Sequence, residues 1–232
     1  MFTVICNETP PPARVVHQIL EMVVGNLTDL SMLGVPPSNP LYGVYGWALP
    51  YEISLYITRI GQIPTAPVEL IVAYDDGNDT DVVGFLLYLP VPTHPDACGV
   101  TYMAVKQSHR RRGIGSAMMR ECIARYPHVE LTCFVKKVPF YEGLGFQVLD
   151  TQNTQVVMNT RSASTTGMMA IVDTAPILNS PQVKQIHAHL VQRWGIREMA
   201  KAEKQLERHV DKLKRQAEVY VRERLAAGQE AV

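Results

Sequence analysis

The sequence predicts an α/β (α+β) protein: a mixed sheet covered by helices, followed by a long C-terminal helix. Three observations carry this expectation. Strand-like runs outnumber helical runs over residues 1–161 but alternate with them. Residues 162–180, rich in Ser, Thr and Ala, read as a linker. From Pro181 the chain turns strongly helical except at Gly195, so residues 181–232 read as a separate amphipathic extension. Charge divides at the same place. Residues 1–180 hold 11 Lys and Arg against 15 Asp and Glu, a balance of −4, and residues 181–232 hold 11 against 7, a balance of +4. A segment with its own charge balance is expected to be its own structural unit.

The 232 residues are 47% hydrophobic and 19% charged, which excludes long disorder. The longest apolar stretch, Val82 to Val91, is interrupted by Gly84 and Pro90 and falls short of the ~20 residues of a membrane span. Met1 to Cys6 lacks a basic leader and does not read as a signal peptide. Cys6, Cys98, Cys122 and Cys133 form no Cys-x-x-Cys pair, so zinc knuckles and a thioredoxin-type motif are unsupported. His187 and His189, about 200° apart around a helix, cannot share a metal. The expectation is a cytoplasmic protein with reduced thiols and no metal.

Met1 to Cys6 is a first strand, followed by the Pro10-Pro11-Pro12 break. Pro12 suits the first turn of a helix to about Gly25, with Val15, Ile19 and Val23 on one face. Residues 27–49, with Pro36, Pro37, Pro40 and several glycines, read as loop, and Tyr51 to Ile60 as a second helix. Strand patterns follow at Val68–Tyr74, Val82–Leu89 and Gly99–Val105. The first two are separated by the turn signal Asp75-Asp76-Gly77-Asn78-Asp79. Gly113 to Tyr126 is a helix with Ile114, Ala117, Met118, Cys122 and Ile123 on one side. Val129–Val135 is a strand, Pro139–Leu144 a short helix, and Phe146–Leu149 and Gln155–Asn159 the final strands.

The stretch Tyr102-Met103-Ala104-Val105-Lys106-Gln107-Ser108-His109-Arg110-Arg111-Arg112-Gly113-Ile114-Gly115-Ser116 carries the chemistry. It runs from an apolar strand through a basic, glycine-containing loop into a helix, pointing free N–H groups at whatever the loop holds. The arginines add charge, and the glycines permit close backbone approach. A pyrophosphate fits. A Walker A loop does not, because no Gly-Lys-Ser/Thr follows, and Met118 occupies the third glycine position of a dinucleotide fingerprint.

Arg110-Arg111-Arg112-Gly113-Ile114-Gly115 resembles the acetyl-coenzyme A loop, (Gln/Arg)-x-x-Gly-x-(Gly/Ala), of the GNAT superfamily of N-acetyltransferases. Val138-Pro139-Phe140-Tyr141-Glu142-Gly143-Leu144-Gly145-Phe146 is similar to that family's Phe-Tyr-x-x-x-Gly-Phe segment. The two motifs span about 45 residues, and the strand order over residues 1–161 is compatible with the whole family fold. The resemblance implies a GNAT-like, mostly antiparallel sheet splayed between a bulged fourth strand and the fifth, with the coenzyme in the gap. It implies coenzyme contacts from Met103, Ala104 and Val105 on the strand, and from Arg110, Arg111, Arg112, Gly113, Ile114, Gly115 and Ser116 on the loop. Phe140 joins these contacts, and Tyr141 becomes the general acid for the departing thiolate. The function implied is direct acetyl transfer from acetyl-CoA to a primary amine.

Many members of the family carry Asn six positions before the tyrosine; here that position is Val135. Lys136 and Lys137 follow it and could reach coenzyme phosphates or stand as exposed charges. A general base must come from elsewhere, with Glu52, Glu69 and Asp96 as candidates. Cys133, with His128 five positions away, could form an acyl-enzyme but reads more simply as a core residue. Tyr42, Tyr45, Trp47, Tyr51 and Tyr56 fall in the region that covers the acceptor in this family, so they either line an acceptor pocket or pack ordinarily.

The tail is not required by the family core. Met199, Ala202, Leu206, Val210, Leu213, Ala217, Val221 and Leu225 recur about every 3.7 residues, forming one apolar stripe of a helix over 197–227. Opposite lie Arg197, Lys201, Lys204, Arg208, Lys212, Arg215 and Arg222, and Glu203, Glu207, Asp211 and Glu218 fill one flank. Such a stripe must be buried on the body, on a second copy or on another protein. The expectation is docking to a second copy or a protein partner through residues 181–227, nucleic acid being less favoured because aromatics are scarce. A chain ending at Ser180 would then keep a folded body. The alternative function is a GNAT-fold structural or assembly protein, such as a component of a viral particle, docking through this helix.

Overall fold

Seven strands form one sheet in the order β1-β2-β3-β4-β5-β7-β6, among the residues that the computed structural model describes, 1–76 and 78–229. The strands are β1 (Phe2–Asn7), β2 (Glu69–Asp75), β3 (Asn78–Val91), β4 (His94–Val105), β5 (His128–Cys133), β6 (Gln147–Gln152) and β7 (Gln155–Asn159). All neighbours are antiparallel except β4 and β5. The sheet is therefore mixed and mostly antiparallel, as expected. The turn expected over residues 75–79 has its centre, Gly77, outside the described residues.

Helices α1 (Ala13–Gly25), α2 (Leu27–Leu30) and α3 (Tyr42–Thr58) precede β2, and α4 (Ile114–Arg125) and α5 (Val138–Glu142) flank β5. The loop expected over 27–49 is thus helical at both ends, with loop kept only over residues 31–41, and α3 begins nine residues before the expected Tyr51. Pro50 lies inside it and removes the bond to the carbonyl of Gly46. The helix persists because Val44, Ala48, Leu49, Ile53, Tyr56 and Ile57 are all buried, and packing overrides local propensity. β5 stops at Cys133, and Val135 lies in a 3₁₀ turn, Val135–Lys137, rather than on the strand.

Both faces of the central strands are covered, which explains their near-continuous apolar runs. Ile71, Ala73 and Leu86 pack toward α4, whereas Leu70, Val72, Phe85 and Leu87 pack toward α1 and α3. After α6 (Ala175–Leu178) come α7 (Pro181–Trp194) and α8 (Ile196–Gln229), separated by Gly195 at φ +82°. Ser180 caps α7 by accepting from the Val183 N–H.

The tail and the linker depart furthest from expectation. Met199, Ala202, Leu206, Ala217 and Val221 of the stripe are buried, and Leu225 is exposed. Met199 and Leu206 join Val35, Leu41, Val44 and Val183, while Ala217 and Val221 join the core beside Val148 and Met158. The stripe is therefore covered by the protein's own body, which corrects the expectation of a stripe left free for a second copy or partner. Residues 162–174 also lie on the body: the Val172 N–H donates to the Tyr56 hydroxyl at 2.8 Å, and Arg59 donates to the Ala170 carbonyl. A short amphipathic unit lowers its free energy most by burying its stripe on the nearest apolar surface, here the faces of α3 and β6–β7.

Leu206→Ala should lower unfolding stability by about 2–5 kcal/mol in urea melts, while exposed Lys204→Ala leaves it unchanged. Equal, negligible effects from both would show that α8 is not part of the core.

Candidate active site

β4 and β5 pair only over Ala97–Val100 against His128–Leu131. The β3–β4 register jumps from Leu87↔Tyr102 to Tyr88↔Val100, leaving Thr101 as an extra residue in β4. This β-bulge bends β4 where its pairing with β5 ends. Beyond it the strands part around a cavity of about 830 Å³, lined by residues of both. Lys106 donates its N–H to Val83 on β3. Alternation along the strand therefore turns the N–H and C=O of Met103 and Val105 into the gap. Consistently, the Val105 carbonyl accepts from Arg110 Nε rather than from a strand.

At one end of the gap, Gly113 caps α4 at φ +81° and no side chain caps the helix. The N–H groups of Ile114, Gly115 and Ser116 are thus without intrahelical acceptors, and all three residues line the cavity. Space does not demand glycine at 113, since a Cβ there would meet nothing within 4 Å; the positive φ does. Gly115 differs, because its Cβ position lies 3.6–3.9 Å from Phe140, Val105 and Met103, so a small residue keeps helix, strand and α5 together.

Of the expected coenzyme contacts, Met103, Ala104, Val105, Arg110, Arg111, Gly113, Ile114, Gly115, Ser116 and Phe140 line the cavity, and Arg112 does not. Phe140 is 38% exposed, an apolar ring facing open space. Arg111 has φ +63°, an uncommon conformation for a side chain-bearing residue. Beside the loop, Asp29 draws three cations together. It accepts from Lys136 at 2.6 Å and Lys137 at 3.4 Å, with Arg110 at 3.9 Å. Burial opposes ionisation of Asp29, but the two lysines outweigh it and hold the carboxyl below its usual range.

Tyr141 also lines the cavity, its ring edge-on to Phe140 and Phe146 at centroid distances of 5.0 and 5.7 Å. Burial, with a smaller contribution from nearby Cys133, pushes its phenol well above the ordinary value, so it stays protonated. Cys133 reaches the same space, but burial pushes its thiol up to about 12 and its Sγ donates to Met158 Sδ. His128 bonds the Ala163 carbonyl instead. No thiolate nucleophile is prepared there.

Among the three candidate bases, only Glu52 lines the cavity. Glu69 is committed to structure, accepting from the hydroxyls of Tyr88 and Tyr126 at 2.6 Å each. Asp96 is paired with Arg161 away from the gap. Burial raises the Glu52 carboxyl, partly opposed by a 2.7 Å hydrogen bond from the Tyr102 hydroxyl. Of the five aromatics in residues 27–62, only Tyr56 lines the cavity; Trp47 and Tyr51 stack on each other at 5.0 Å. The rest of that wall comes from Tyr102 and from Met169, Ile171 and Val172 of the expected linker. The apolar run Met168-Met169-Ala170-Ile171-Val172 was the available signal for this. Among the described residues, no three His, Cys, Asp or Glu side chains are grouped to hold a metal ion, and no helix is long and apolar enough to cross a membrane.

Residues 66–148 match the family described as acetyltransferase (GNAT) domain. Among solved structures, the chain is similar to the PaiA N-acetyltransferase of Thermoplasma acidophilum, determined in complex with coenzyme A. That match has 13% identity and a TM-score of 0.53, over 68% of this chain and 99% of the other. It is also similar to a protein from Corynebacterium glutamicum described as histone acetyltransferase HPA2 and related acetyltransferase. Here the identity is 20% and the TM-score 0.51, over 71% and 98% of the two chains. At these identities the likeness is one of fold. No curated protein matches the sequence.

Because its folded-state value is raised, Glu52 contributes most to stability when protonated. That contribution fades as pH rises from the ordinary value of 4.5 through the raised one. Urea melts across this window should show stability falling with pH, and Glu52→Gln should flatten that component; identical slopes would mean that Glu52 titrates normally.

Proposed function

We propose that the chain, whose residues 66–148 match the acetyltransferase (GNAT) domain family, moves an acetyl group from acetyl-CoA directly to a primary amine. The observation that carries the reading is the gap between β4 and β5, which offers two inward N–H groups beside an uncapped helix N-terminus. In this reading the pyrophosphate takes the N–H groups of Ile114, Gly115 and Ser116, with Arg110 and Arg111 supplying charge. Lys136 and Lys137 are close enough to the loop to exchange Asp29 for phosphate oxygens. Arg112, outside the cavity lining, has at most an outer role. The pantetheine lies along Met103–Val105 as an added strand edge, covered by Phe140.

The thioester carbonyl then accepts hydrogen bonds from the inward N–H groups of Met103 and Val105, which strengthen as the oxygen becomes an oxyanion. Glu52, its carboxyl raised by burial at the cavity wall, takes the proton that turns an ammonium into a nucleophilic amine. The nitrogen lone pair forms the new C–N bond, the C–S bond breaks, and the departing thiolate takes the Tyr141 hydroxyl proton, which is replaced by the proton that the nitrogen sheds as it becomes an amide. A neutral Cys133 thiol supports transfer without an acyl-enzyme. The alternative of an assembly protein docking through its helix draws no support from a stripe already covered by the body.

Calorimetry with acetyl-CoA tests the reading: no binding at ~1 mM ligand would sink it. Gly113→Asp, which sets a carboxylate against the phosphates, should weaken binding by at least about 10-fold with the fold intact. Tyr141→Phe should cut turnover by about 10²-fold with coenzyme affinity unchanged, and Glu52→Gln should remove the acidic limb of the pH–rate profile. Normal turnover by Tyr141→Phe would rule out its acid role.

A further inference from the structure

We infer that the outward face of α8 is a sequence-independent binding surface for duplex nucleic acid, gripping its phosphate backbone. Arg197, Lys204, Arg208, Lys212, Arg215 and Arg222 are all exposed. At 100° per residue they fall within a sector of about 80°, and at 1.5 Å per residue the row is about 38 Å long. Of the three other Lys and Arg on the helix, Lys201 pairs with Glu198, Arg224 pairs with Glu142, and Lys214 lies outside the sector; the six have no carboxylate partner among the described residues. On the opposite stripe Met199, Ala202, Leu206, Ala217 and Val221 are buried on the body, so the row is held outward along one continuous helix.

The chemistry of the face selects its partner. A lipid surface is bound by amphipathic helices through their apolar side, and here that side is already occupied. A protein partner needs buried aromatic or aliphatic anchors, and the only large apolar residue in the sector is Val219. Single strands need stacking rings, and the helix's one aromatic, Tyr220, faces the core. A row of unneutralised Arg and Lys without anchors or rings matches a phosphate backbone, which rewards charge alone. The acidic flank of Glu203, Glu207, Asp211 and Glu218 bounds the footprint on one side.

The test is fluorescence anisotropy of the full chain with a labelled random DNA duplex of about 20 base pairs over about 50–200 mM salt. The expected result is binding at the lowest salt, with log K falling against log salt at a slope of roughly −4, about four phosphate contacts. Lys204→Gln/Arg208→Gln/Lys212→Gln should make that slope shallower by about 2.7 and weaken binding at least about 10-fold. Glu207→Gln/Asp211→Asn should tighten binding, an outcome that a damaged fold does not produce. Three results would overturn the inference: no binding at the lowest salt, binding unchanged in the triple variant, or capture by phosphatidylserine vesicles without duplex binding. Addition of acetyl-CoA separates this face from the Arg110–Arg111 loop, since duplex bound at α8 is not displaced.

Discussion

The site depends on one extra residue in β4. With Thr101 unpaired against β3, the strand bends just after Val100, the last residue to pair with β5. Each strand is still held on its outer side: β4 by β3 through Val105, and β5 by β7 through Cys133. The sheet therefore stays continuous at one end and opens at the other. Backbone groups left facing an opening are costly unless something polar meets them, which is why such a gap is suited to an extended amide-bearing ligand. The uncapped start of α4 sits on the same opening, so a site for an anion and a site for an added strand edge adjoin.

The C-terminal helices brace this opening rather than extend from it. Asn39 Nδ2 donates to the Ala202 carbonyl, and His209 Nε2 meets the Gly34 carbonyl at 3.1 Å. These bonds fasten the segment between α2 and α3, which carries Met32 to the cavity wall. Arg224 bonds Glu142 on α5, the helix that presents Tyr141. Residues 162–174 complete the wall from the other side, with Met169 Sδ packed directly over Gly99. A Cβ at Gly99 would meet that sulfur, so a side chain there would have to displace the flexible end of Met169 from the wall.

What was legible in the sequence follows from locality. The strand–loop–helix from Tyr102 to Ser116 is written in adjacent residues, so both its elements and its anion-binding chemistry could be read, as could the Phe140–Phe146 segment and the helical tail. The bulge was expected only through the family resemblance, because Thr101 as such carries no bulge signal. The first half of α3 is not legible because Pro50, Gly43 and Gly46 weigh against a helix locally, and only the core supplies the opposing burial. The choice of Glu52 over Glu69 and Asp96 is a matter of three-dimensional neighbours: two tyrosine hydroxyls, an arginine and a cavity wall. The tail's periodicity identified its apolar stripe correctly but not its cover, since periodicity is silent on which surface lies opposite.

The central claim, that β4 offers free backbone donors to a ligand in the gap, is tested most directly by amide hydrogen exchange along this strand. In the free protein, the Met103 and Val105 amides should exchange faster than those of Tyr102 and Ala104, which face β3. Coenzyme A should then slow Met103 and Val105 selectively. Equal protection of all four amides in the free protein, or no change at Met103 and Val105 under saturating coenzyme, would contradict the account.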